Sequence, residues 1–174
     1  GVYKARNYEM FQEDLKDRGM ADMAEKFLAS SGKLQLLCYK AEIEKSLRTP
    51  GLGGFQLLGL QDFPGQGTAL VGTMNVFWKD KPYSSAKAFA RFCNSTVPLM
   101  KTAKFVYSNA EHLKAAIEVY HFGEKDLDAN IQITLKDPTG KIVSSIKSIK
   151  KKLLIAAQNP IVDLDIDLAA IQQP

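Results

Sequence analysis

The hydrophobic pattern of this chain changes its period near Pro98, and that change divides the chain into two parts that must fold differently. Before Pro98 the apolar residues recur at spacings of three and four, as in "YEMFQEDLKDRG", which is typical of amphipathic helices. After Lys104 they alternate with polar residues, as in "NIQITLK" at 130–136 and "IVDLDIDL" at 161–168. Alternation of this kind is typical of strands that bury one face. The pattern therefore predicts a helical first part and an antiparallel second part.

Three helices are predicted at the start of the chain. The first covers residues 8–19 with Asn7 as its N-cap, the second covers 20–32, and the third covers 33–51 and ends at a Pro-Gly pair. Their apolar faces are expected to be buried; they include Phe27, Leu28, Leu34, Leu37 and Cys38. A fourth helix, "AKAFARFCN", is expected to begin after a pair of capping serines, Ser84 and Ser85.

A short apolar run with a polar end follows the third helix. The run "GFQLLGL", residues 54–60, is apolar almost throughout, which is typical of a strand buried on both faces of a parallel sheet. In such sheets the loops at the carboxyl ends of the strands carry the chemistry. The loop here offers Gln61, Asp62 and Gln66, and an amide beside a carboxylate can bind adjacent hydroxyl groups of a sugar. The alternative is that Asp62 caps the turn and that the glutamines bind loop backbone.

The second part is predicted to be a β-sandwich. Four runs alternate apolar and polar residues: "AAIEVYHF", "NIQITLK", "KIVSSIKSI" and "IVDLDIDL". A turn with the sequence "DPTG", residues 137–140, joins the second and third of them. Several short antiparallel strands with polar outer faces are typical of a sandwich. We therefore place the domain boundary between residues 1–102 and 103–174.

Charge and composition narrow the function classes. The formal charge is +4, and much of the excess lies in "KIVSSIKSIKKK". Because no aromatic residue or arginine interleaves with these lysines, we interpret them as a solvated strand end rather than a nucleic-acid site. No apolar run reaches the roughly 20 residues that span a bilayer. Two cysteines and two histidines, Cys38, Cys93, His112 and His121, form no ligand cluster, so neither a metal nor a cofactor is predicted.

A long block of the chain resembles a known enzyme family. The block "YKAEIEKSLRTPGLGGFQLLGLQDFPGQGTALVGTMNVFWKDKPY", followed by "FARFCNSTVPLMK", is similar to the end of the barrel in bacterial relatives of glycoside hydrolase family 2, the β-galactosidases and β-glucuronidases. The last barrel strand of that family begins with a Gly-Gly-Phe pattern, which Gly53, Gly54 and Phe55 match, and it ends in a polar pair, which Gln61 and Asp62 match.

The resemblance implies a fold of mixed α+β class. Residues 1–102 would be the C-terminal portion of a (β/α)8 TIM barrel, and residues 103–174 would be an incomplete immunoglobulin-like β-sandwich. It also implies a retaining glycosidase that hydrolyses O-glycosidic bonds of oligosaccharides and is exported to the bacterial periplasm or cell envelope. Retaining enzymes need two carboxylates about 5 to 5.5 Å apart. The family places them on earlier strands, in a segment that would precede Gly1, so we assign no catalytic residue to this chain.

The expected contribution of the chain is therefore to the walls of the substrate site. The family places a tryptophan in the middle of the strand, where this sequence has Leu57 or Leu58. Trp78 is expected to supply an aromatic face instead, beside Gln61, Asp62 and Gln66. The alternative function is a non-catalytic carbohydrate-binding or structural module, in which Tyr120 and Phe122 would bind the sugar. Unpaired strand edges would also favour self-association.

Overall fold

The computed structural model describes residue 4, residues 6–65 and residues 70–171, except for the side chains of 145–147 and 170. The chain divides into two compact units, Gly1–Cys93 and Asn94–Pro174. The first unit contains α1 (Arg6–Asp17), a 3-10 turn (Ala21–Met23), α2 (Ala24–Leu47) and the short α3 (Ala86–Phe89). The second contains β1 (Thr96–Thr102), β2 (His112–His121), β3 (Leu127–Lys136), β4 (Ile142–Leu153), β5 (Ala157–Asp167) and a 3-10 turn (Leu168–Ala170). The division between the units precedes β1, whereas the sequence had placed these residues in the first domain.

The helices differ from the prediction at their boundaries. The expected second and third helices form one helix, α2, because Gly32 continues the helix and is buried within it. The ring of Tyr83 lies so close that a Cβ at Gly32 would come within 2.6 Å of it. Asn7 lies inside α1, so the predicted N-cap is wrong. Ser85 does cap α3, since its Oγ accepts a hydrogen bond from the Ala88 N–H at 3.1 Å.

Much of the surface of α2 that was expected to be buried is exposed. Its exposed residues include Phe27, Leu28, Leu34, Leu37 and Cys38, and the predicted burial of these side chains is therefore wrong. The described residues that α2 does bury lie at Gly32 and near its C-terminal end, at Ile43, Glu44 and Leu47. None of the described helices has an apolar stretch long enough to cross a bilayer.

The predicted barrel strand at residues 54–60 does not form. Two glycines adopt left-handed backbone angles, with φ of 150° at Gly54 and 86° at Gly59, which a regular strand does not allow. Leu58 is 93% exposed, whereas a central strand would bury it. The parallel pairing seen among the described residues of this unit is a single bridge between Gln61 and Met74. The expected C-terminal portion of a (β/α)8 TIM barrel is therefore wrong.

Five antiparallel strands build the second unit. One sheet has the order β1–β2–β5, and the other pairs β3 with β4. In the first sheet β2 is central: Ala115 faces Thr102 on β1 and Leu164 on β5. Val97 and Leu99 of β1 and Val119 of β2 are buried. The period-two alternation thus predicted β2 to β5 but not β1, and the "DPTG" turn lies between β3 and β4 as expected.

The expected immunoglobulin-like β-sandwich is wrong as well. A sandwich buries the inner faces of both sheets against each other. No residue of β3 is buried, and its alternate residues are at most half-buried. Among the described side chains of β4, only Leu153 is buried. The β3–β4 sheet is therefore a hairpin with little core of its own.

Candidate functional site

Three of the four predicted site residues, Gln61, Asp62 and Trp78, lie in one group of hydrogen-bonded loops, residues 59–65 and 70–84, which we call the loop layer. Its centre is Met74, whose N–H donates to the Leu60 carbonyl at 3.0 Å and whose carbonyl accepts from the Asp62 N–H at 3.0 Å. Met74 also forms an antiparallel bridge with Asp80, and Lys81 forms one with Ser84. Backbone contacts therefore join the segment of Gln61 and Asp62 to the segment of Trp78.

Asp62 is buried inside the loop layer, with 7% of its surface exposed. Its Oδ1 accepts a hydrogen bond from the Gly72 N–H at 2.9 Å and receives the Lys81 ammonium at 2.7 Å. Lys81 is itself largely covered, so the pair is shielded from solvent. A buried carboxylate needs such partners, because an unpaired charge inside a protein is costly. This geometry supports the alternative in which Asp62 fixes the loop.

Gln61 has a different environment. Its Oε1 is buried and accepts no hydrogen bond from any described residue. A buried acceptor without a donor costs about 1–3 kcal/mol. The residue as a whole is half-buried, and it stands beside Met74 in the bridge. The Gln61 Oε1 thus has unused acceptor capacity, whereas the Asp62 Oδ1 is already bonded to Gly72 and Lys81.

Trp78 lies on a tight turn that is held by Asn75. The Asn75 Oδ1 accepts from the N–H groups of Phe77 at 2.9 Å and Lys79 at 3.0 Å, while the Asn75 carbonyl accepts from the Trp78 N–H at 3.0 Å. Trp78 has a φ of 61°, which costs a residue with a Cβ about 1–3 kcal/mol. The indole is 59% exposed, and the neighbouring ring of Phe77 is 77% exposed. The turn thus presents two aromatic rings to solvent.

Gln66, the fourth predicted site residue, lies outside the described residues. The other three belong to the same loop layer, and their side chains have different environments there. The sequence did not indicate Lys81, which balances the charge of Asp62 across 19 positions of the chain. Long-range ion pairs of this kind leave no local pattern in a sequence.

A cleft of about 520 Å³ lies beside the loop layer. Its wall includes Tyr8, Gln35, Lys81 and Tyr83. The Tyr8 hydroxyl donates to the Leu70 carbonyl at 3.1 Å, and the Lys81 ammonium lies 5.9 Å from the centre of the Tyr83 ring. The Tyr8 bond connects α1 to the loop layer, and the Lys81–Tyr83 contact lies within the loop layer.

The second unit contains two histidines in defined settings. His121 is buried, and its ring nitrogens lie 2.8 Å from the Thr96 hydroxyl and 2.8 Å from the Lys125 carbonyl. Because a carbonyl can only accept, Nε2 carries a proton and His121 fixes the turn after β2. His112 is exposed beside Asp165, with 2.7 Å between Nδ1 and Oδ1. No group of histidine, cysteine or acidic residues in the described part of the chain is arranged to hold a metal ion.

Two further features of the second unit bear on the sequence hypotheses. The rings of Tyr120 and Phe122 are nearly parallel, at 6° to each other with their centres 6.2 Å apart, and Phe122 is exposed. Among the lysines of "KIVSSIKSIKKK", Lys152 pairs with Asp126 at 3.2 Å, and the Lys151 ammonium donates to the Pro160 carbonyl. The basic run is thus partly used in local contacts. In the first unit, partial burial raises the pKa of the half-buried Cys93 thiol.

Comparison with known proteins bears on the second unit. A family described as a domain of unknown function, DUF8488, matches residues 111–174. This range contains β2 to β5 but not β1. No curated protein matches the chain.

Proposed function

We propose that this chain binds a saccharide through its loop layer, and that it contributes substrate-binding walls rather than catalytic groups to a glycoside hydrolase family 2-like protein. The single observation that carries the proposal is the buried, unpartnered Oε1 of Gln61, which lies in the same bonded loops as the exposed Trp78. The proposal does not include a barrel. The glycosidase assignment and export to the periplasm or cell envelope follow from the sequence resemblance and are part of the proposal.

Gln61 and Trp78 suit the two kinds of contact that a sugar can make, through its hydroxyl groups and through the apolar faces of its ring. Pyranose hydroxyl groups are donors, and a buried carbonyl oxygen that lacks a donor gains the most from one. The apolar faces of sugar rings pack on exposed indole rings, and Trp78 presents such a ring from a turn whose strain the loop layer must sustain. Backbone strain of this kind clusters at functional sites. Phe77 enlarges the aromatic surface.

Catalysis by the chain itself is not part of the proposal. The loop layer contributes Asp62, whose carboxylate is occupied by Gly72 and Lys81, and Asp80, whose Oδ1 accepts a hydrogen bond from the Ala86 N–H. A retaining mechanism needs a second carboxylate about 5 to 5.5 Å away with one of the pair free to attack. We therefore expect no hydrolysis of p-nitrophenyl β-galactoside by these residues alone, and measurable turnover would contradict the non-catalytic assignment.

The test is binding of β-linked galacto- and glucurono-oligosaccharides, measured by titration calorimetry. We expect Trp78→Ala and Gln61→Met each to weaken binding by about tenfold or more, because each removes one of the two contact types. Gln61→Met keeps the side-chain length and removes an unsatisfied oxygen, so the free energy of unfolding should stay the same or rise. A loss of binding without a loss of stability would identify Gln61 as a ligand contact.

A matched control is Phe105→Ala, which removes an aromatic ring that is also highly exposed but lies in the second unit. This variant should bind as the wild type does. If no oligosaccharide of the panel binds, or if Phe105→Ala weakens binding as much as Trp78→Ala, the loop layer is not a saccharide site.

A second candidate is saccharide binding by the second unit. The observation that favours it is the parallel pair of Tyr120 and Phe122, whose rings could accept a sugar. In that case Phe122→Ala would abolish binding while Trp78→Ala would leave it unchanged. The same calorimetric series therefore separates the two candidates.

A further inference from the structure

The surface of α2 carries exposed apolar side chains with charge on one side. Leu34 and Leu37 lie three residues apart, which places them on one face of the helix, and each is 61% exposed. The same face continues through the exposed Ser30 to the exposed Phe27. Lysines recur every seven residues along one side of this face, at Lys26, Lys33 and Lys40. We call Leu34 and Leu37, with Lys33 and Lys40, the ridge.

A groove lies next to the ridge on the same unit. It has a volume of about 520 Å³ between α1 and the first turns of α2, and its walls include Phe11, Leu15, Phe27 and Leu28. Phe11 is 67% exposed. Glu25 lines the groove, and Asp14 lines a neighbouring pocket that shares Phe11 with the groove. The groove is thus apolar inside and acidic at its margin.

We propose that the ridge of one copy of this chain docks in the groove of a second copy, so that the protein forms a two-fold symmetric dimer through α2. On α2 the groove is centred on Phe27 and Leu28, and the ridge is centred between Leu34 and Leu37. These two centres are about eight residues apart, which is about 12 Å along the helix at a rise of about 1.5 Å per residue. If two α2 helices cross antiparallel, the two-fold axis falls between these centres, and each ridge faces the other copy's groove. This is the self-complementary arrangement that a two-fold interface requires.

Charge complementarity selects a second copy as the occupant. Lys40 already pairs with Glu44 at 2.8 Å, so Lys33 is the ridge lysine that docking brings near the carboxylates of the other copy's groove, at two equivalent contacts. A ridge-to-ridge contact would instead place the Lys33 side chains of both copies together. An anionic lipid surface would be attracted by the lysines but repelled by Asp14 and Glu25.

The energetic reason for association is the apolar surface of α2. A helix that is apolar on several sides is normally surrounded, and α2 buries few of its apolar residues in the described structure. Burying exposed aliphatic side chains favours association, because it removes apolar surface from water. Docking of the ridge covers the most exposed of them. The dimer is independent of saccharide binding, which uses the loop layer.

The test is sedimentation equilibrium of the full chain up to high-micromolar concentrations. We expect a dimer whose dissociation constant rises with salt and rises by about tenfold or more in a ridge variant, Leu34→Glu with Leu37→Glu, and in a groove variant, Phe11→Glu with Phe27→Glu. Leu58→Glu, a change at a highly exposed leucine outside both surfaces, should leave the dimer unchanged. Circular dichroism checks that each variant keeps its helices.

Mixing the two variants separates groove–ridge docking from other contacts. The ridge variant retains its groove and the groove variant retains its ridge, so the mixture should form heterodimers through one intact contact, more tightly than either variant forms a homodimer. A wild-type chain that stays monomeric at the highest concentration would overturn the proposal, whether or not it then binds phosphatidylserine vesicles or an acidic peptide. Dimers that survive both variants, or no heterodimer in the mixture, would also overturn it.

Discussion

At the scale of the residue, Gly72 is a position in the loop layer where a side chain as small as a methyl group would clash with backbone atoms. A Cβ there would lie 2.2 Å from the Gln61 carbonyl carbon and 2.4 Å from the Asp62 nitrogen. These are backbone atoms that cannot rotate away, and the Gly72 N–H also donates to Asp62. We therefore expect Gly72→Ala to lower the free energy of unfolding by about 2–3 kcal/mol, as overpacking does. Urea denaturation followed by circular dichroism measures it.

Gly53 is the matched control for Gly72. No atom lies within 4 Å of a Cβ at Gly53, and its backbone is not in the left-handed region. Gly53→Ala should therefore stabilise slightly or change nothing, within about 1 kcal/mol, because alanine restricts the unfolded chain. If both variants lowered the free energy of unfolding equally, the close approach of Gly72 to the backbone of Gln61 and Asp62 would not be the cause of the loss.

Glu111 gives the second unit a pH dependence at low pH. The Lys104 ammonium and the N–H of Ser108 bind its carboxylate and lower its pKa from 4.5 to about 2. Because the pKa in the folded state lies below that in the unfolded state, the contribution of Glu111 to stability is fully present above pH 4.5. It is lost as the pH falls toward about 2.

A carbon-detected NMR titration of the Glu111 carboxyl group tests this assignment. We expect a midpoint near pH 2 in the wild type and a clear rise in Lys104→Met, since Lys104 is the main cause of the shift. Lys101→Met removes an exposed lysine of the same region and should leave the midpoint in place. An unchanged midpoint in Lys104→Met would mean that Ser108 alone holds the carboxylate.

The sequence located part of the candidate site and missed the rest for a physical reason. Gln61 and Asp62 could be found because an amide and a carboxylate directly after an apolar run form a local pattern. Trp78 could be singled out as the only tryptophan. The contacts that fix them, from Gly72 and Lys81 to Asp62, join residues that are 10 and 19 positions apart. Which residues meet across such loops depends on the tertiary fold.

At the scale of the element, strands β2 to β5 were predictable from the sequence, and β1 and the packing of the helices were not. Period-two alternation survives in β2 to β5 because each strand has a more covered and a more exposed face. For the helices, the sequence pattern predicts a boundary after Gly32, but the close approach of Tyr83 gives this glycine a packing role inside α2. The run at 54–60 was interpreted as a buried strand from its apolarity alone, which does not distinguish a strand from an apolar loop.

The two sheets should differ in local stability. β2 is hydrogen-bonded on both edges, to β1 and β5, and it contains buried Ala115 and Val119. β3 and β4 pair only with each other in the described structure, and β3 buries none of its residues. Amide exchange followed by mass spectrometry should therefore be slower in β2 than in β3 by about tenfold or more. Equal protection of both strands would show that the hairpin has packing that its side-chain exposure does not reveal.

At the scale of the whole molecule, the order of secondary structure along the chain did not determine the architecture. Helices, an apolar run and alternating strands follow in the order expected for a barrel end and a sandwich. The barrel interpretation fails because a barrel stave needs hydrogen-bonded neighbours on both edges, and residues 54–60 form no strand. The sandwich interpretation fails because β3 and β4 have little buried surface.

The family match and the compact second unit begin at different residues, and β1 lies in the part that only the compact unit includes. The match starts at residue 111, whereas the unit starts at Asn94 and includes β1. β1 pairs with β2 in register from Thr96–His121 to Thr102–Ala115. Without β1 that edge of β2 is open, and the burial of Val97 and Leu99 is lost. Open edges also promote aggregation.

We therefore expect a fragment of residues 94–174 to be more stable than a fragment of residues 111–174 by at least about 2 kcal/mol, from lost burial alone. Urea unfolding measures the difference, and size-exclusion chromatography should show association of the shorter fragment. A synthetic peptide of residues 94–104 added in trans should restore the missing stability, because it returns β1 to the edge of β2. A peptide with Val97→Asp and Leu99→Asp is the control and should fail to do so. If the two fragments unfold at the same urea concentration, β1 is not part of the folding unit, and the unit begins at β2.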